Sequence, residues 1–142
     1  MPDMPEITVL EHTADYFVEI SGKTLQELFR AGMWAVTSYC TDGTYYGDID
    51  CVLFSLIEET ADSLENLFIA FLNEMLFLMT ETSGVYYRID FDCLTEHKLQ
   101  ATIWGVDKKS VPSGGEIKAA TYHNLSLGFN EEKWNARILF DV

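Results

Sequence analysis

The segment "DSLENLFIAFLNEMLFLM", residues 62–79, contains the most regular hydrophobic pattern in the chain. Its large apolar residues recur at intervals of three and four, which is typical of one broad face of an α-helix. They are Leu64, Leu67, Phe68, Phe71, Leu72, Met75, Leu76 and Met79. Asp62 and Glu65 have the spacing of a capping box, and Ser83-Gly84 supplies an end signal. The segment predicts a long helix whose apolar face belongs to the core.

The rest of the chain predicts one more helix and seven strands. The second predicted helix covers residues 23–39, where Thr24 and Glu27 form a capping box. Apolar runs and alternation predict strands at 6–12, 16–21, 51–57, 85–95, 98–106, 116–129 and 134–142. The run at 51–57, "CVLFSLI", predicts a largely buried strand, and residues 107–115 predict a loop.

The order of these elements, ββαβαββββ, lacks sustained βαβ alternation. It favours an α+β fold with a mostly antiparallel sheet and two helices packed on one face. A chain of 142 residues suits one ordinary domain, and no linker or repeat divides it. We therefore expect a single domain over residues 1–142.

Charge and hydropathy restrict the function classes. Nine basic residues against 23 acidic ones give a net charge of −14. Such a surface repels phosphate backbones, so it disfavours direct RNA or DNA binding and favours cations or basic protein partners. Solubility alone would explain the same acidity. The chain has no apolar run of about 18 residues and no secretory signal pattern, so we expect a cytoplasmic protein without a membrane span.

Three cysteines, Cys40, Cys51 and Cys93, form no CxxC pair. In a cytosolic protein this pattern predicts buried, reduced thiols rather than a zinc site or a disulfide framework.

Carboxylates near both ends of the chain are candidate metal ligands. Asp15 follows the turn-like "HTA", and Asp141 has the opposite parity to the apolar residues of 134–140. Val142 adds a main-chain oxygen and, as the last residue, a terminal carboxylate. Oxygen donors of this kind suit a hard cation such as Ca²⁺ or Mg²⁺. The sequence alone does not bring residues 15 and 141 together, so two separate surface carboxylates remain the alternative.

Other polar residues in strand segments allow several interpretations. His12 could ligate a metal, act as a base or hold the turn, and Glu11 has no assigned role. Lys118 could form an ion pair or contact a ligand. His123 shares parity with Leu125, which predicts a partly buried histidine. No phosphate-binding loop, dinucleotide fingerprint, nucleophile elbow or EF-hand loop is present.

Five segments together resemble the archease family. In chain order they are "EHTAD" (11–15), "KTLQELFRAGMWAV" (23–36), "FLNEMLFL" (71–78), "EIKAATYH" (116–123) and "WNARILFDV" (134–142). Each motif is short, but the five occur in the right order over nearly the whole chain.

The resemblance implies a small α+β protein that assists an RNA-splicing ligase without being an enzyme itself. Such factors promote guanylylation and multiple turnover of the ligase in tRNA splicing or RNA repair, with RNA contacted only indirectly. The resemblance also implies a divalent metal, Ca²⁺ in the first instance with Mg²⁺ or Mn²⁺ as alternatives. Its ligands would be Asp15, Asp141 and Val142, with support from His12 and Lys118. A metal-dependent phosphoester hydrolase and a general chaperone or interaction module are the competing functions.

Overall fold

The computed structural model describes residues 4–10, 15–47 and 49–142, in seven strands and two α-helices. The helices are α1 (Leu25–Cys40) and α2 (Leu64–Thr82). The strands are β1 (Ile7–Leu10), β2 (Asp15–Gly22), β3 (Leu53–Thr60), β4 (Gly84–Leu94), β5 (Lys98–Asp107), β6 (Ala119–Asn130) and β7 (Lys133–Asp141). A short 3₁₀ turn, Lys108–Ser110, follows β5.

The strands form two antiparallel sheets. One sheet has four strands in the order β1-β2-β7-β6, and the other has three in the order β3-β5-β4. Helix α1 contacts β2, β7 and β4, while α2 contacts β6 and all three strands of the smaller sheet. The predicted α+β class, antiparallel pairing and element order are confirmed. The division into two sheets was not predicted, because alternation identifies a strand without identifying its neighbour.

Helix α1 is capped at both ends. The Thr24 hydroxyl accepts a hydrogen bond from the Glu27 amide at 3.1 Å, and the Glu27 carboxylate accepts one from the Thr24 amide, which confirms the predicted capping box. At the other end, the Gly114 amide donates to the Cys40 carbonyl at 3.1 Å. A Cβ at Gly114 would lie 1.9 Å from the Thr41 carbonyl oxygen. The loop before β6 is therefore a cap for α1, and it requires glycine there.

Helix α2 has the predicted extent and a different cap. The N-cap is Ser63, whose hydroxyl accepts from the Asn66 amide at 3.1 Å. Asp62 instead accepts from the Asn66 side-chain amide at 2.5 Å, so the capping box predicted from Asp62 and Glu65 is wrong by one residue. Ser83 ends the helix in the left-handed conformation, with φ of 53°.

The main core joins both helices to both sheets. Its aromatic centre includes Phe29 of α1 and Phe68 of α2, whose ring centroids are 5.1 Å apart in an edge-to-face arrangement. Tyr86 of β4 is fully buried, and its hydroxyl lies 2.9 Å from the hydroxyls of both Ser55 and Thr82. These contacts satisfy a polar group that would otherwise cost stability in the core.

Strand β3 is not largely buried, and that prediction is wrong. Val52, Phe54 and Leu56 are 79%, 58% and 70% exposed, and Ile57 alone in the strand is fully buried. The apolar run covers both parities of an edge strand, but the helices cover one face only.

The three cysteines are free thiols, as predicted, but they are half-buried rather than buried. Burial raises the pKa of Cys40 to about 11, and it also raises the pKa of Cys51. Both thiols are therefore protonated near neutral pH, which disfavours a nucleophilic role.

His123 is exposed, contrary to the prediction of partial burial. The β6–β7 ladder is interrupted between Thr121 and Ser126, and Asn124 has a positive φ of 57°. This irregularity breaks the alternation on which the prediction depended. No helix within the described ranges is long and apolar enough to cross a membrane.

Candidate functional site

Asp15 and Asp141 lie directly opposite each other in adjacent strands. Asp15 begins β2, Asp141 ends β7, and the antiparallel register pairs the two residues. Side chains of paired residues point to the same face, with Cβ atoms about 5 Å apart. The structure thus brings together two carboxylates that the sequence left unconnected.

The hydrophobic pattern fixes this register. Tyr16 and Phe140 are buried and form the next pair, with ring centroids 5.6 Å apart. On the outer face, the Arg137 guanidinium donates to the Glu19 carboxylate at 2.7 Å. A slip by one residue would bury the charged residues and expose the aromatic ones, so the pairing of the two aspartates is strongly specified.

Strand β6 and the residue before it lie next to the Asp15–Asp141 pair. Ala119 pairs with Asp141, and the amide of Lys118 donates to the Asp141 carbonyl at 2.8 Å. The side chain of Lys118 is exposed, and Val142 follows Asp141 directly. We call Asp15, Lys118, Asp141 and Val142 the sheet corner.

The donors at the sheet corner are oxygen atoms. Two carboxylates facing each other across a strand pair repel and destabilise the sheet. Within the described ranges, the Asp141 carboxylate forms no hydrogen bond or ion pair with another side chain. A hard divalent cation would offset this repulsion, and the donor set fits Ca²⁺ or Mg²⁺ better than a softer metal.

The same described part of the chain contains no cluster of three or more His, Cys, Asp or Glu side chains able to hold a metal ion. Protein side chains would therefore contribute two carboxylates, with a main-chain oxygen of Val142 as a further donor. Of the other candidates, His12 and Glu11 lie outside the described residues.

Sequence reasoning did not anticipate a cleft beside the sheet corner. It has a volume of about 680 Å³, and its wall includes Cys40, Met79, Lys109, Val111 and Ile117. Ile117 immediately precedes Lys118, so the cleft wall and the corner share one stretch of chain. The sequence feature that could have indicated this cleft is the pair Gly114-Gly115, which packs closely on the end of α1.

Comparison with known proteins supports one family. The model of the archease protein family matches residues 8–142. The chain belongs to the archease family. The archease of Methanosarcina barkeri is 29% identical over 140 residues, covering 94% of this chain and 93% of the relative.

Solved archease structures share the fold. Protein 1598 of Methanobacterium thermoautotrophicum, solved in solution, aligns with a TM-score of 0.74 and 21% identity, covering 96% of this chain and 98% of that one. The crystal structure of the Thermotoga maritima archease, described as a possible chaperone, aligns with a TM-score of 0.66 and 22% identity over the full length of both chains. At these identities the similarity establishes the fold alone.

Proposed function

We propose that this chain is a non-catalytic accessory factor of an RNA-splicing ligase. It promotes guanylylation and multiple turnover of the ligase in tRNA splicing or RNA repair, in the cytoplasm. The observation that carries the proposal is the cross-strand pairing of Asp15 with Asp141, where the main-chain amide of Lys118 donates to the Asp141 carbonyl. Family membership supports an accessory protein, and the sheet corner supplies the chemistry with which it would act.

The corner would bind a divalent cation, Ca²⁺ in the first instance, with Mg²⁺ or Mn²⁺ as alternatives. Asp15 and Asp141 would hold it through their carboxylates and Val142 through a main-chain oxygen. The cation would supply positive charge at a place where the protein is otherwise acidic. The exposed side chain of Lys118 would add a second positive charge near it.

Charge also supports a protein partner. With a net charge of −14, the surface attracts basic surfaces and repels bare phosphate backbones. A ligase that handles nucleic acid must itself carry a basic surface near its active site. The proposed mechanism is that the sheet corner docks there and helps to organise the guanylylation site, while RNA contacts the ligase.

The direct test is a guanylylation assay of an RNA-splicing ligase with and without this protein. Wild type should increase the rate and the number of turnovers in the presence of a divalent cation. Asp15→Ala, Asp141→Ala and Lys118→Ala should lose most of the stimulation. Asp92→Asn, an exposed carboxylate on the other sheet, should behave as wild type. Full stimulation by the Asp15→Ala and Asp141→Ala proteins would refute the proposal.

Two further readouts separate the competing functions. Hydrolysis of a phosphoester by the purified protein alone, abolished by Asp15→Asn, would make it an enzyme. Suppression of aggregation of unrelated proteins, unaffected by metal and by substitution of the two aspartates, would make it a chaperone, the description attached to the Thermotoga maritima archease.

A further inference from the structure

The first half of β3 and the residue before it expose a row of apolar side chains on a sheet edge. Val52, Phe54 and Leu56 share one parity and are 79%, 58% and 70% exposed. Strand β3 pairs with β5 on one side, and no described strand pairs with its other side. Alternate residues of such a strand direct their N–H and C=O groups outward, where another extended chain can bind them.

A second row of side chains makes this surface continuous. Phe54 pairs with Trp104 of β5, and their ring centroids are 5.4 Å apart. The guanidinium of Arg88 in β4 lies 4.6 Å from the centroid of the same indole ring. The indole N–H has no acceptor among the described residues. We call Val52, Phe54, Leu56 and Trp104 the β3 edge patch.

Natural sheet edges usually carry charges, prolines or bulges that prevent pairing with another chain. Residues 53–57, "LFSLI", contain none of these, and their register with β5 is uninterrupted. The protective charges begin only at Glu58. An edge left unprotected for five residues, and apolar on its exposed face, fits an interaction surface better than a purely structural strand.

Charge beside the patch indicates what binds there. Glu58 is exposed, and Glu59 lies near Glu74 of α2, where burial and then repulsion from Glu74 raise the pKa of Glu59. Within the described ranges, none of these three carboxylates forms an ion pair with Lys or Arg. A partner that placed basic side chains here would relieve the repulsion. A second copy of this chain, itself at −14, would increase it.

We propose that the β3 edge patch docks an extended segment of a partner protein in which apolar side chains alternate with Lys or Arg. The segment adds as a strand to the free edge of β3. Its apolar side chains pack on Phe54 and Leu56, and its basic side chains, on the other face of the strand, reach Glu59 and Glu74. This surface belongs to the sheet opposite the one that carries Asp15 and Asp141, so it is independent of the proposed metal site.

The test uses two fluorescein-labelled eight-residue peptides, one alternating valine with lysine and the other alternating valine with glutamate. Binding to the full chain is measured by fluorescence anisotropy. The valine–lysine peptide should bind, and Leu56→Lys should weaken it by roughly tenfold or more through lost apolar burial and added repulsion. Replacing both Glu59 and Glu74 by glutamine should weaken it by roughly two- to fivefold.

A matched control is available on the other sheet. Val9 is 63% exposed on β1, which is also an edge strand, so Val9→Lys makes the same change in a similar setting. It should bind the peptide as wild type does. Equal weakening by Val9→Lys and Leu56→Lys would mean non-specific attraction to an acidic protein and would overturn the proposal. So would absence of binding, or a dimer in sedimentation that Leu56→Lys abolishes, since the occupant would then be a second copy.

Discussion

Calcium should stabilise this protein by binding between Asp15 and Asp141, and the effect of Asp141→Asn on stability should change sign when calcium is added. Without a cation, two carboxylates face each other across β2 and β7. Replacing one of them by asparagine removes the repulsion while keeping nearly the same shape. The variant should therefore be more stable than wild type in EDTA and less stable than wild type in calcium.

The expected sizes are measurable. A like-charged cross-strand pair costs about 0.5 kcal/mol at an exposed position, which corresponds to roughly 2 °C in melting temperature for a chain of this length. A cation at 100 times its dissociation constant stabilises the folded state by about 2.7 kcal/mol, or roughly 10 °C. The melting temperature of the variant should thus be higher than that of wild type in EDTA and lower in calcium. Calcium should raise the melting temperature of wild type by the larger amount.

Differential scanning fluorimetry or circular dichroism measures these shifts, with sodium chloride added to equalise ionic strength. The control is Asp92→Asn, which removes the same charge from an exposed position in β4. Because the protein carries −14, calcium also screens its surface without any site. A calcium shift of the same size in wild type, Asp92→Asn and Asp141→Asn would show screening alone and would refute a site at the sheet corner.

Three further predictions concern the fold. Tyr86→Phe should lower the free energy of unfolding in urea by about 1–2 kcal/mol, because it leaves two hydroxyl groups without their buried partner. Gly114→Ala should destabilise by about 2 kcal/mol or more, through the clash at the end of α1, whereas Gly128→Ala, with nothing within 4 Å of its added Cβ, should stay within about 0.5 kcal/mol of wild type. Cys40, whose pKa is raised from 9.0 to about 11, should react with a disulfide reagent at pH 8 about tenfold more slowly in the native protein than in urea. The raised pKa lowers the thiolate fraction more than it increases the nucleophilicity of each thiolate. Equal rates in the two conditions would contradict the raised pKa.

The helices could be predicted from sequence because their signals are local. The spacing of apolar residues in α2 and the Thr24–Glu27 box depend on neighbours within four positions. Burial of a strand depends instead on which layers cover it. The run at 51–57 therefore identified a strand, but not its place at the edge of a second sheet. The prediction that His123 is partly buried was wrong for a related reason, because an irregularity in β6 interrupts an alternation that looks regular in sequence.

The sheet corner could be predicted from the sequence only in part. Parity correctly separated Asp141 from the buried residues beside it, and the turn-like "HTA" singled out Asp15, but neither signal can pair strands from opposite ends of a chain. The register does so, and the buried Tyr16–Phe140 pair specifies it. The same packing that stabilises the fold thus holds two like charges together at its edge. A conflict of this kind between local energetics and global structure is expected at a functional site. A cation, a partner protein or both would add positive charge beside the two aspartates, and this is why metal dependence and ligase stimulation should be lost together in the two aspartate variants.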